Sequence, residues 1–235
     1  MSTPFFRFKQ FTIHQDRCAM KVGTDGVLLG AWAEIAQAGT LLDIGTGSGL
    51  IAIMAAQRNA NAHIHAIEIN PEACGQAKEN IAASPWADRI TLFQGAVQTF
   101  YPGLQYDRII CNPPFFIHST PNPEPGRSMA RHGESLSYPD LLTAAERLLA
   151  PEGKLQLILP AVEANIFLRQ ASSRGWFANR ITYVHPTPEK PPKRHLMEFS
   201  KTKTTCMESI IIIETERHIY HETHASITRD FYLKG

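Results

Sequence analysis

The chain has 235 residues, 43% of them hydrophobic, enough to bury a substantial core and within the size range of one α/β domain. Its 23 basic and 22 acidic residues nearly cancel, so any nucleic-acid partner must be held by a local basic surface rather than by overall charge. Cys18, Cys74, Cys111 and Cys206 show no Cys-x-x-Cys spacing and the ten histidines form no ligand pattern with them, which argues against a zinc site or a disulfide framework.

Charge interrupts Phe5-Phe6-Arg7-Phe8-Lys9 too early for a signal segment. No apolar run approaches the roughly 20 residues of a membrane span. A soluble cytoplasmic protein with no metal and no membrane attachment is expected; the oligomeric state stays open, a monomer being compatible with the residues.

In chain order, Phe6, Phe8, Phe11 and Ile13 among polar neighbours predict a short hairpin or strand. A helix follows from Thr24 or Asp25, either of which can cap it, with Val27, Leu28, Ala31, Trp32 and Ile35 on one face. The pattern then alternates: strands over Leu41 to Ile44, Ile64 to Ile69, Ile90 to Phe93, Tyr106 to Cys111 and Lys154 to Leu159. Helices are predicted over Leu50 to Arg58, Pro71 to Ala83, Tyr138 to Leu149 and Ala161 to Arg174. Strands separated by helices predict a mostly parallel sheet covered on both faces. Proline-rich Phe116 to Glu134 and Pro186 to Pro192 are loops. Ile181 to Val184, Leu196 to Phe199 and Ile210 to Ile213 add strands whose order the residues leave open. The expected organisation is one domain, with a hairpin and helix over residues 1–37 and an α/β core over residues 38–235.

Two segments carry chemistry. Asp43-Ile44-Gly45-Thr46-Gly47-Ser48-Gly49 follows a buried strand and precedes a helix, so Gly45, Gly47 and Gly49 allow a tight turn and close approach of a ligand. It departs from the Gly-x-Gly-x-x-Gly of dinucleotide sites, since Leu50 stands at the sixth position and Asp43 would repel a phosphate. An adenosyl cofactor with a cationic end suits it better. Glu68, at the end of the next strand roughly 20 residues on, is placed to accept ribose hydroxyls.

The second segment is Asn112-Pro113-Pro114-Phe115, leaving the carboxyl end of a strand. The Asn112 side-chain oxygen and the Pro113 carbonyl can each accept an N–H from a planar amino group. Pro114 stiffens the turn, and Phe115 offers a stacking face. Cys111 beside them reads as a small apolar strand residue rather than a nucleophile. A methyl donor and an amino acceptor together predict a methyltransferase using S-adenosylmethionine.

With these motifs, the chain resembles the Rossmann-like methyltransferases, and within them the bacterial tRNA1(Val) adenosine-37 N6-methyltransferase family. The resemblance rests on the run Asp16 to Ala33, preceded by Phe8-Lys9-Gln10-Phe11, and extends through Ser84-Pro85-Trp86-Ala87, the Asn112 segment and the Arg194 to Phe199 strand. It implies a seven-stranded sheet ordered 3-2-1-4-5-7-6, methylation of N6 on the purine beside a tRNA anticodon, and cofactor contacts from Thr24, Asp43, Gly45 and Glu68. Two positions depart from the family pattern: Ala96 replaces the usual acidic contact to the cofactor's adenine, and Phe115 stands where Tyr is commoner.

A base buried in a stack must be extruded to react, so RNA must also be held. Arg127 and Arg131 in the loop after the Asn112 segment, with Lys193 and Arg194, are the candidate phosphate contacts; Arg7, Lys9, Arg17 and Lys21 form a further basic group. The same amino-group chemistry would serve an RNA guanine N2-methyltransferase or a protein glutamine N5-methyltransferase. The latter usually has a helical N-terminal domain, for which the residues before Ala38 leave little room. A non-catalytic RNA- or cofactor-binding module on the same fold is the reading from another class.

Overall fold

The computed structural model describes residues 3–18, 20–114, 136–217 and 219–233. A hairpin of β1 (Phe5–Arg7) and β2 (Thr12–His14) leads into α1 (Thr24–Trp32), followed by β3 (Thr40–Ile44), α2 (Leu50–Arg58), β4 (His63–Glu68), α3 (Pro71–Ala83), β5 (Ile90–Gln94) and β6 (Tyr106–Cys111). Beyond residue 135 come α4 (Tyr138–Leu148), β7 (Leu149–Pro160), α5 (Ala161–Ser173), β8 (Phe177–His185), β9 (Arg194–Ser200) and β10 (Met207–Ile212). The ribbon β11 (Glu214–Glu216) with β12 (Ile219–Tyr220) and α6 (Glu222–Thr228) complete the described elements.

The central sheet is ordered β10-β8-β9-β7-β6-β3-β4-β5. Its first seven strands in chain order take the arrangement 3-2-1-4-5-7-6 that the resemblance implied. The difference is an eighth strand: β10 pairs in parallel with β8 at the edge. Strand β9 runs antiparallel to both β7 and β8 and is the reversed member of a mostly parallel sheet.

Alternation along the buried strands separates two cores. Leu41 and Ile110 face the layer of α1, α2 and the N-terminal hairpin, whereas Leu42, Ile44, Ile109 and Cys111 face α4 and α5. Phe8, Phe11 and Ile13 of the hairpin region share the first core. Among the described residues no helix is long and apolar enough to cross a membrane.

Helix α1 departs from the sequence reading at both ends. Neither Thr24 nor Asp25 caps it; Gly23 is its N-cap, with no side-chain bond. Residues Gly26 to Trp32 are all buried, so the helix is covered all round rather than on one face, and Ile35 lies beyond its end. Gly30 permits this: a Cβ there would lie 2.7 Å from Met54 Sδ of α2. The first helix after β4 behaves as predicted, with Pro71 in its first turn and the Asn70 side chain accepting from the Ala73 amide.

Candidate active site

Register decides what meets at the top of the sheet. Ile44 of β3 pairs with Ile67 of β4 on one side and with Cys111 of β6 on the other. The glycine loop, Glu68 and Asn112 therefore leave the sheet side by side, at the point where strand order reverses.

The loop is set by its own bonds. Gly45 and Thr46 donate their amides to the Ile67 carbonyl at 2.9 and 3.1 Å. Gly45, Gly47 and Gly49 have φ of 68°, 57° and 83°, left-handed values that favour glycine. A Cβ built on Gly45 or Gly47 would meet nothing within 4 Å, so open space faces the backbone there. Gly49 differs: it caps α2 and rests against Ala77 and Ile81 of α3.

Both carboxylates brace this loop. Asp43 Oδ2 accepts from Thr46 Oγ1 at 2.6 Å and from the Ala52 amide at 3.1 Å. Its Oδ1 is buried and has no partner among the described residues. Burial foremost, with the charge of Glu68, pushes the carboxyl up to about 7 against the pull of those two hydrogen bonds. Glu68 accepts the Gly47 amide on Oε2 and the Asn70 amide on Oε1, each at 2.9 Å.

A cavity of about 580 Å³ opens above the loop, walled by Gly45 to Ser48, Leu50 and Ile51, by Met20 to Gly26, by Asn112, and by Val184, Lys193, Arg194 and Ile213. It gathers Thr24, Gly45, Gly47, Asn112, Lys193 and Arg194 of the candidates read from sequence. Asp43, Gly49, Glu68, Pro113 and Pro114 stand outside its wall, and Phe115, Arg127 and Arg131 lie outside the described residues. Asn112 is half-buried; its Oδ1 is fully shielded and accepts no hydrogen bond among the described residues. Gly26 lets α1 come this close, since a Cβ there would lie 3.1 Å from Leu50 Cδ2 and 3.9 Å from Asn112 Nδ2.

Arg194 is employed otherwise than as a bare phosphate contact: its Nε donates to Asp25 Oδ2 at 2.8 Å, tying β9 to the start of α1 across the cavity rim. Cys111 is fully buried, and burial, with the charges of Asp43 and Glu68, holds its thiol well above the ordinary range, as suits an inert strand residue. Ala96 opens a short 3-10 turn and is not part of the wall. The wall residues that sequence reasoning left without a role include Met20, Val22, Gly23, Gly26, Val184 and Ile213. The first four carried a signal, through the Asp16 to Ala33 run.

Open glycine backbone and a shielded, unsatisfied amide oxygen in one cavity suit a ligand that lies on the loop and a second that brings N–H groups to Asn112. A family model described as methyltransferase small domain matches residues 22–164. A tRNA1(Val) (adenine(37)-N6)-methyltransferase of Parabacteroides distasonis is 47% identical over 237 residues, covering 100% of both chains. Among solved structures, a predicted O-methyltransferase from Agrobacterium tumefaciens aligns with a TM-score of 0.68 at 20% identity, covering 88% of this chain and 96% of that one. The glycopeptide N-methyltransferase MtfA complexed with S-adenosylmethionine aligns with a TM-score of 0.56 at 14% identity, covering 77% and 100%.

Proposed function

The chain belongs to the methyltransferase small-domain family and, within it, to the tRNA1(Val) (adenine(37)-N6)-methyltransferases, and from that membership we propose that it transfers a methyl group from S-adenosylmethionine to N6 of adenosine 37 of tRNA1(Val). The observation that carries the reading is Asn112 Oδ1, a shielded acceptor on a residue of the glycine-loop cavity wall, without a donor among the described residues. An unpaired buried acceptor costs free energy unless a ligand satisfies it.

When bound, S-adenosylmethionine supplies an electrophilic methyl on a cationic sulfur. The residues that fit it are Gly45 and Gly47, whose α-carbons face open space, and Thr24 in the opposite wall. Glu68 serves the ribose: each carboxylate oxygen already accepts one amide and keeps capacity for a hydroxyl.

The protein's chemical task lies with the acceptor. The N6 lone pair is delocalised into the purine ring, which makes it a poor nucleophile. With its two N–H bonds accepted by Asn112 Oδ1 and the Pro113 carbonyl, the direction left open at nitrogen is that of the lone pair. Acceptors held by a proline-stiffened strand exit spare reorganisation at the moment of reaction. An anticodon loop offers bases that unstack at low cost. On sequence alone, Phe115 is assigned to stacking and Arg127 and Arg131 to phosphates, with Lys193 beside the cavity in the same role. A tRNA substrate supports a cytoplasmic location.

Incubation of unmodified tRNA with labelled donor, followed by nucleoside mass spectrometry, should yield N6-methyladenosine. N2-methylguanosine would indicate guanine methylation, label found only in protein would indicate a glutamine acceptor, and no transfer at all would leave a binding module.

A further inference from the structure

A second hollow, of about 470 Å³, adjoins the first and shares its wall of Val22, Gly23 and Thr24. Its remaining sides are Phe6 and Arg7 of the N-terminal hairpin and Tyr220, Tyr232 and Leu233 from the C-terminal segment. Among the described residues no acidic side chain lines it.

The rings here form a ladder that runs from core to surface. Buried Phe11 stacks on buried Phe8 at 4.6 Å, Phe8 lies 6.1 Å from Tyr232 with planes 13° apart, and Tyr232 lies 6.3 Å from Tyr220 with planes 6° apart. The buried end fixes the orientation of the whole series. At the outer end Tyr220 is 46% exposed, and Leu233 beside it is 61% exposed. A fixed, near-parallel aromatic face beside an exposed Arg7 has two properties of a base platform: a flat π surface and a cation for the phosphate.

We propose that this hollow seats a second unpaired base of the RNA substrate, a chain neighbour of the one delivered to Asn112, with Tyr220 and Tyr232 stacking the base and Arg7 taking a phosphate beside it. The inference rests on the RNA reading above and adds to it a subsite on the opposite side of the Val22–Thr24 wall. The shared residues Val22, Gly23 and Thr24 make the two hollows neighbours, as chain-adjacent nucleotides require. Stacking is tolerant of base identity, so the subsite contributes affinity and registration rather than sequence choice.

A double-mutant design tests it. Affinity is measured by fluorescence anisotropy for an anticodon stem–loop RNA and for the same RNA made abasic at either neighbour of the target adenosine, with wild type, Tyr220→Ala, Tyr220→Phe and Arg7→Gln. Calorimetric affinity for S-adenosylhomocysteine is the control for an intact fold. For intact RNA, Tyr220→Ala should weaken binding roughly tenfold, while Tyr220→Phe binds as wild type does. One of the abasic RNAs should weaken wild type by a similar factor and Tyr220→Ala hardly further. Equal affinity of wild type and Tyr220→Ala for intact RNA, or the same loss for every RNA tested, would overturn the subsite. A wild-type protein that neither binds nor methylates the intact RNA would overturn the function itself, and the subsite with it.

Discussion

Gly47→Ala separates the folding role of the glycine loop from its ligand role. Gly47 has φ +57° and Gly175, in the turn before β8, has φ +72°, and a Cβ on either would meet nothing within 4 Å. Both substitutions therefore impose the same penalty, the left-handed conformation of a non-glycine residue, about 1–2 kcal/mol. Part of that is offset by the stiffer unfolded chain, about 0.4–1 kcal/mol. At about 2–4 °C per kcal/mol for a domain of this size, each variant should melt only a few degrees below wild type. The two sites differ in what the added methyl meets once ligand is present. Gly47 lines the cavity and Gly175 does not. Calorimetric titration with S-adenosylhomocysteine should show Kd raised at least tenfold for Gly47→Ala, about 1.4 kcal/mol or more, and unchanged for Gly175→Ala. If both variants lose the same few degrees and both retain wild-type affinity, the open space beside Gly47 is not where the cofactor lies.

Two further substitutions test the other groups of the site. Asn112→Ala should lower the single-turnover methylation rate roughly a hundredfold, the scale seen when one preorganised contact is lost from a reacting centre, while cofactor affinity stays within a fewfold; a retained rate would reduce Asn112 to a strand exit. Asp43, its carboxyl raised to about 7 by burial, keeps its proton in the fold at pH values where the unfolded chain has released it, so stability falls as pH rises from about 4 to 7. Asp43→Asn keeps an acceptor for Thr46 and Ala52 and should remove that slope, up to about 1.4 kcal/mol per pH unit, in urea unfolding followed across the window; parallel slopes for the two proteins would contradict the burial argument.

Much of the architecture was legible because local signals agreed with the final environment. Leu41 to Ile44 is apolar enough to be buried on both faces, Pro71 marks the first turn of α3, and the loop glycines sit where a left-handed backbone is required. The misreadings fall where tertiary packing overrides local pattern. Thr24 and Asp25 are good capping residues, yet Gly23 takes the cap, and the Asp25 carboxylate instead accepts from Arg194, 169 positions away in the chain. The eighth strand was read from Ile210 onward but not from its start at Met207 or in its place in the sheet, because Met207 to Ile210 is exposed at the edge and lacks the burial signature of its neighbours. The ribbon of β11 and β12 is too short to give a period, and its Tyr220 acquires meaning only beside Phe6 and Arg7 from the other end of the chain.

The two acidic residues beside the glycine loop show how much of a site's mechanics spacing leaves unread. A carboxylate near a glycine turn reads from sequence as a ligand contact, because spacing says nothing about which of its oxygens are already engaged. In the fold, Asp43 and Glu68 together take the Thr46 hydroxyl and the amides of Gly47, Ala52 and Asn70. Four donors that a bare loop would leave to water are thus tied to two carboxyl groups, and the Gly45 and Thr46 amides are tied to β4. A loop braced in this way presents its open glycine faces without having to order itself around a ligand, and the entropy of ordering is spent in folding rather than in binding. Asp43 Oδ1, buried and without a partner among the described residues, keeps capacity to spare. A positive charge brought near it would favour the ionised carboxyl and draw its proton off, so cofactor binding by the braced loop should be coupled to proton release from Asp43 near neutral pH.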